Sequence, residues 1–138
     1  MAANKILLAD SESGPQSVLA HMLESRDFSV TKARSIDEAW RILTTEHPRM
    51  MLLDPMMPSG TAGFHLVWKL RGYPDRRINE LPVIMLSRIH DTTGIKLFPK
   101  LNDGHYEPQE FLPIQAFLDK PFDERVLMET IDDVLRRT

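Results

Sequence analysis

Short runs of consecutive apolar residues alternate along this chain with longer stretches in which apolar residues recur every three or four positions. Ile6–Ala9 is the first run, and it ends in the acidic Asp10. Between Gly14 and Arg26, the residues Val18, Leu19, Met22 and Leu23 follow helical spacing, so an amphipathic helix is expected. Phe28–Ala33 is rich in strand-favouring residues. Ser35 then offers an N-cap, and Glu38 three residues on completes a capping box. The helix it opens puts Ile36, Ala39, Trp40 and Leu43 on one face, and His47-Pro48 ends it. Met50–Leu53 is the next apolar run, and it ends in Asp54. A loop with Pro55, Pro58, Gly60 and Gly63 leads to a third helix begun by Phe64, Val67 and Trp68 and stopped near Gly72 and Pro74. Val83–Leu86 ends in Ser87, and Ala116–Leu118 ends in Asp119-Lys120-Pro121. A last helix is expected from about Asp123 to Arg137, with Leu127, Ile131, Val134 and Leu135 as its apolar stripe. Asp123 and Glu124 at its start and Arg136 and Arg137 at its end complement its dipole.

Five apolar strands separated by helices imply a parallel sheet covered on both faces. Right-handed crossovers then give an α/β fold, a doubly wound five-stranded parallel sheet in a three-layer sandwich. With 138 residues, a single domain spanning 1–138 is expected. In such sheets ligands bind beyond the carboxyl ends of the strands. Asp10, Ser11, Glu12, Asp54, Ser87, Asp119 and Lys120 collect there. Residues 88–119 have poor periodicity and several Pro and Gly; at most a short helix is expected near Thr92–Phe98 or Pro108–Leu112. A connection of that length points to a specialised partner surface or a flap.

Composition narrows the chemistry. There is no cysteine, which excludes disulfides, thiolate metal sites and cysteine nucleophiles. A net charge of -3 supplies no excess positive potential for a phosphate backbone, so direct nucleic-acid binding is not expected. No apolar run approaches the roughly 20 residues of a membrane span, and the N-terminus lacks a secretory layout; a cytoplasmic location is expected. The five histidines show no ligand spacing and are expected to face solvent; the eight methionines are expected mostly in the core. Residues 60–63 lack the lysine of a phosphate-binding loop.

Carboxylates, a hydroxyl and a lysine at one sheet edge make a coherent set. Clustered carboxylates repel unless a cation joins them, and such oxygen ligands suit magnesium. Lysine and serine can contact phosphoryl oxygens. A carboxylate can itself act as a nucleophile and form an acyl phosphate. Each of these residues alone also has an ordinary structural reading: a turn aspartate, a cap serine, a surface lysine.

Four motifs in order make the pattern specific: Lys5-Ile6-Leu7-Leu8-Ala9-Asp10, Leu52-Leu53-Asp54-Pro55-Met56-Met57-Pro58, Val83-Ile84-Met85-Leu86-Ser87 and Phe117-Leu118-Asp119-Lys120-Pro121-Phe122. The chain resembles the response-regulator receiver domain, the CheY-like phosphoacceptor module of two-component signalling, over essentially its whole length. The resemblance implies that Asp54 is the phosphorylated aspartate, that Asp10 and the Met56 backbone carbonyl join it in holding Mg2+, and that Ser87 is the switch hydroxyl. It implies that Lys120 contacts the phosphoryl group, that Phe117 is the aromatic whose rotamer reports activation, and that Pro121 carries the peptide bond that aims the lysine. Such a module is not a metabolic enzyme; it catalyses only its own phosphorylation and dephosphorylation. Its implied partners are a histidine kinase or phosphotransfer protein and a downstream protein target, with homodimers also known in the family. The sequence ends just after the last helix, so either output through protein contacts is expected or the chain is a piece of a larger protein.

The chain departs from the family pattern at four places. Ser11 stands where a second acid usually binds the metal, which weakens the expected magnesium site. The usual glycine eight positions past the acceptor is displaced to Gly63. Arg88 follows the switch serine, where small residues are the rule. The 88–119 stretch is longer than in the family. These departures motivate a second reading, a pseudo-receiver that binds proteins without being phosphorylated. A third is an unrelated doubly wound protein such as a small hydrolase or flavin binder.

Overall fold

The computed structural model describes residues 4–10, 13–55, 62–87, 105–106, 114–119 and 123–137. In chain order the elements are β1 (Lys5–Ala9), α1 (Ser13–Glu24), β2 (Ser29–Ala33), α2 (Ile36–Glu46), β3 (Met50–Leu53), α3 (Ala62–Arg71), α4 (Arg76–Asn79), β4 (Val83–Ser87), β5 (His105–Tyr106), β6 (Ala116–Asp119) and α5 (Glu124–Arg137). The sheet runs β2-β1-β3-β4-β6-β5. Its first five strands are parallel, as the sequence predicts. The short β5 adds to the outer edge of β6 in antiparallel sense.

Because side chains alternate across a strand, each strand feeds both faces. Leu7, Ala9, Met51, Leu53, Val83, Met85 and Phe117 pack with Ala39, Ile42 and Leu43 of α2 and with Phe64, Val67 and Leu70 of α3. Ile6, Leu8, Met50, Leu52, Ile84, Leu86, Ala116 and Leu118 pack on the other face with Leu19 and Leu23 of α1 and with Leu127, Ile131 and Val134 of α5. Both faces are covered, which is why these strands carry no polar alternation.

The helix starts follow their capping chemistry. Ser35 Oγ accepts from the Glu38 amide at 3.2 Å, while Glu38 Oε1 accepts from the Arg34 amide at 2.9 Å, one residue before the cap. Asp123 Oδ1 accepts from the Arg125 amide at 2.7 Å at the head of α5. His47 closes α2 in the left-handed region, φ 49°, ψ 64°, ahead of Pro48.

Several expectations are corrected. Val18, placed on the buried stripe of α1, is exposed, and so is Trp68 of α3. Spacing puts both near the apolar side of their helices, but no element among the described residues covers them. His47 is not simply solvent-facing: its Nδ1 is buried and without a hydrogen-bond partner. The four-residue α4, capped by Asp75, and the two-residue β5 were not anticipated, because neither is long enough to show a period. The short helix allowed for near Thr92–Phe98 or Pro108–Leu112 lies outside the described residues. No helix among the described residues is long and apolar enough to cross a membrane.

Arg71, at the end of α3, ties this scaffold together. Its guanidinium donates to Asn79 O (3.1 Å), Leu81 O (2.6 Å) and Gln115 Oε1 (3.2 Å). Gln115 Oε1 also accepts from the Val83 backbone amide at 2.6 Å, and the Gln115 backbone amide donates to Val83 O at 2.9 Å. One side chain thereby links α3, the entry to β4 and the entry to β6.

Candidate functional site

The parallel register brings the sequence-predicted acids to one edge. Ala9 of β1 pairs with Leu53 of β3, so the residues that follow them, Asp10 and Asp54, leave adjacent strands at the same height. The backbone seats both: the Asp54 amide donates to Ala9 O at 2.9 Å, and the Asp10 amide donates to Ala33 O at 3.0 Å. Asp10 is buried, and Asp54 is partly exposed.

Ser87 ends β4 two positions beyond Met85, the partner of Leu53, so it stands one step further up the edge than Asp54. Ser87 in turn pairs with Asp119 at the end of β6, directly before Lys120. Phe117 is fully buried; it lies beside Met85 on the α2–α3 face. Met56, Lys120 and Pro121 lie outside the described residues, as do Ser11 and Arg88.

Two features hold this edge in shape. Gln16 of α1 is buried, and its side-chain amide donates to Leu8 O at 3.1 Å and Ala33 O at 3.0 Å. It therefore anchors α1 to the tops of β1 and β2, next to Asp10. Spacing alone gave no sign of this residue, since glutamine within a helix ordinarily faces solvent. The second feature is Gly63. Its amide donates to Pro55 O at 2.8 Å, and any Cβ there would collide with the Pro55 backbone. Glycine at this place lets α3 close tightly over the residue after Asp54. The displaced glycine noted in the sequence thus does a definite steric job.

Hard cations such as Mg2+ take one or two carboxylates and keep several waters. A buried Asp10 beside a part-exposed Asp54 suits that donor set. Among the described residues no three His, Cys, Asp or Glu side chains form an all-protein cage. Mg2+ needs none, so the residues present fit the ion.

The comparisons agree with this geometry. The family model described as the response regulator receiver domain matches residues 6–103. Response regulator Rre1 of Synechocystis is 34% identical over 133 residues, which are 96% of this chain and 52% of that protein. The phosphate regulon transcriptional regulatory protein PhoB of Pseudomonas aeruginosa is 28% identical over 138 residues, 100% of this chain and 54% of that protein. The chain thus spans about half the length of these curated relatives. In fold it is similar to the chemotaxis response regulator CheY4 of Vibrio cholerae, at a TM-score of 0.71 and 21% identity, covering 94% of this chain and 97% of that one. By its family match, its sheet topology and the acids at its strand ends, the chain belongs to the response regulator receiver domain family of two-component signalling.

Proposed function

We propose that Asp54 accepts a phosphoryl group from a phosphohistidine of a histidine kinase or phosphotransfer protein, in the cytoplasm, and that residues 1–138 act as a single receiver unit. The observation that carries this reading is the placement of Asp10 and Asp54 at equal height on adjacent strand ends, with Ser87 one step beyond. An Asp54 carboxylate oxygen attacks phosphorus, an O–P bond forms, and the P–N bond to the imidazole breaks. The departing imidazole takes up a proton. Asp10, Asp54 and the Met56 carbonyl are the residues that would hold Mg2+, which supplies charge neutralisation at the transferring phosphoryl oxygens. In this reading Lys120 contacts the same oxygens and Ser87 donates to them once the acyl phosphate exists. Phe117 lies buried behind this edge and Pro121 follows the lysine; both would transmit the change. Downstream output passes to a protein target.

The test is intact mass after incubation with acetyl phosphate and Mg2+. One phosphoryl group is expected on the wild type and none on Asp54→Asn. Asp10→Asn should label much more slowly, because one of the two metal carboxylates is gone. Ser11, in place of a second acid, favours an alternative in which the fold serves protein binding without phosphorylation. A correctly folded wild type that gains no mass, beside a receiver that does, would establish that alternative.

A further inference from the structure

The affinity of an oxygen site for a divalent cation depends on how many charged ligands it has and how rigidly each is held. Asp10 is the carboxylate that β1 brings to the edge, and the position after it is Ser11. With an acid fewer, the placement of Asp10 carries more of the affinity. Its backbone is held by a shared carbonyl. The Asp10 amide donates to Ala33 O at 3.0 Å. The same oxygen accepts from Gln16 Nε2, also at 3.0 Å. Gln16 Nε2 donates as well to Leu8 O, two residues ahead of Asp10, at 3.1 Å.

The register shows why this matters at Asp10. Ala9 pairs with Ala33, so Asp10 is the first residue past the β1–β2 ladder, where regular strand pairing ends. The chain leaves β1 there, enters α1, and returns through the Gln16 side chain to the carbonyl that seats the Asp10 amide. Gln16 is only 2% exposed, so its amide is nearly shut off from water and a displaced donor would be costly. The helix does not depend on it for attachment, because Leu19, Ala20 and Leu23 already pack α1 into the apolar layer. The polar atoms of Gln16 serve the two carbonyls beside Asp10 instead.

We propose that Gln16 is a positioning residue for the divalent cation: by holding Leu8 O and Ala33 O it fixes the backbone from which Asp10 reaches Mg2+, and so sets the affinity of the site. It acts through Asp10 and not as a ligand. The inference rests on the assignment of Asp10 and Asp54 to Mg2+ made above, but not on Asp54 being phosphorylated.

The test is a titration of Mg2+ into the 15N-labelled full chain, following the Asp10 and Asp54 backbone amides. The wild type should give a saturable curve that Asp10→Asn loses. Gln16→Met keeps the length of the side chain and removes its amide; its midpoint should weaken about tenfold. Leu23→Ala, on the same helix, opens a cavity without touching either carbonyl, and its midpoint should stay at the wild-type value. Urea unfolding ranks the two variants, and each is titrated where it is fully folded. Should Gln16→Met not fold, the wild type still decides. Coupling between two sites is reciprocal, so Mg2+ should slow the exchange of the Gln16 side-chain amide protons with water. The proposal is overturned by an unchanged midpoint in Gln16→Met, by an equal loss in Leu23→Ala, by Gln16 amide exchange that ignores Mg2+, by a curve that survives Asp10→Asn, or by no saturable curve in the wild type. Acetyl phosphate labelling of the same samples keeps the two readings apart. Mg2+ binding that weakens in Gln16→Met, in a protein that never gains phosphoryl mass, would remove the acceptor role of Asp54 and leave that of Gln16 standing. Labelling on Asp54 with equal midpoints would do the reverse.

Discussion

At the scale of single residues, two positions next to the acidic edge have consequences that can be measured. Gly63→Ala forces a methyl group against the Pro55 backbone. The Pro55 backbone next to Asp54 must then shift, and a loss of about 2 kcal/mol in urea unfolding is expected, together with slower acetyl phosphate labelling. Gln16→Leu keeps the volume but removes both amide donors from Leu8 O and Ala33 O. Leaving buried acceptors short of partners should cost about 1–3 kcal/mol by the same measurement. Asp10, Asp54 and Ser87 were legible in the sequence because each follows an uninterrupted apolar run, and strand ends are where such sheets bind ligands. Gln16 was not, since nothing in its neighbours marks a glutamine that turns inward to serve two carbonyls.

At the scale of elements, the joints are polar and testable one at a time. Ser35→Ala removes the acceptor at the head of α2; thermal unfolding should report a loss of about 1 kcal/mol. Lys5 at the start of β1 and Glu46 at the end of α2 pair at 2.9 Å, and Thr31 Oγ1 donates to the same carboxylate at 3.3 Å. The Lys5 hydrogen bond, with smaller help from Thr31 and from nearby positive charge, holds the Glu46 carboxyl below its ordinary pKa of 4.5. A carboxylate lowered in the folded state stabilises it above that ordinary value, and the benefit fades as pH falls through the lower folded-state value. The pair is open to water, so its worth is about 0.5 kcal/mol or less. Glu46→Gln should therefore flatten the stability profile slightly below pH 4.5 and leave it nearly unchanged near pH 2. The Arg71 guanidinium, pushed below its usual pKa by burial yet still charged, is a stronger joint. Arg71→Ala should be among the more damaging substitutions of a polar residue here, about 3 kcal/mol, because it removes a donor from Asn79 O, Leu81 O and Gln115 Oε1 together. Its role was hidden in the sequence, where a lone arginine at a helix end looks like ordinary dipole complementation.

Across the whole molecule, the apolar pattern disclosed the layered sheet because β1, β3, β4 and β6 are covered on both faces, whereas the edge strand β2 keeps Ser29 and Lys32 exposed. It did not disclose which helix stripes stay uncovered: periodicity names a side of a helix, and only packing decides what lies against it. Val18 and Trp68 show the difference. The same layering sets a gradient of protection. Amide hydrogen exchange is expected to be slowest in β3 and its neighbours β1 and β4, and fastest at the two-residue β5.

That small strand has a consequence for how copies of the molecule behave toward one another. An unpaired strand edge is a template on which another chain can extend a sheet. Opposite Phe117 and Leu118, β6 already has Tyr106 and His105 as partners. The β6 edge is thus engaged by the chain's own backbone, and the strand now outermost is too short to seed further growth. Tyr106→Pro, a residue that central strand pairing disfavours, should leave the two-faced core in place but raise the tendency to form fibrillar aggregates, read as thioflavin fluorescence during prolonged incubation. Unchanged fluorescence would mean that the β6 edge is guarded by something other than β5.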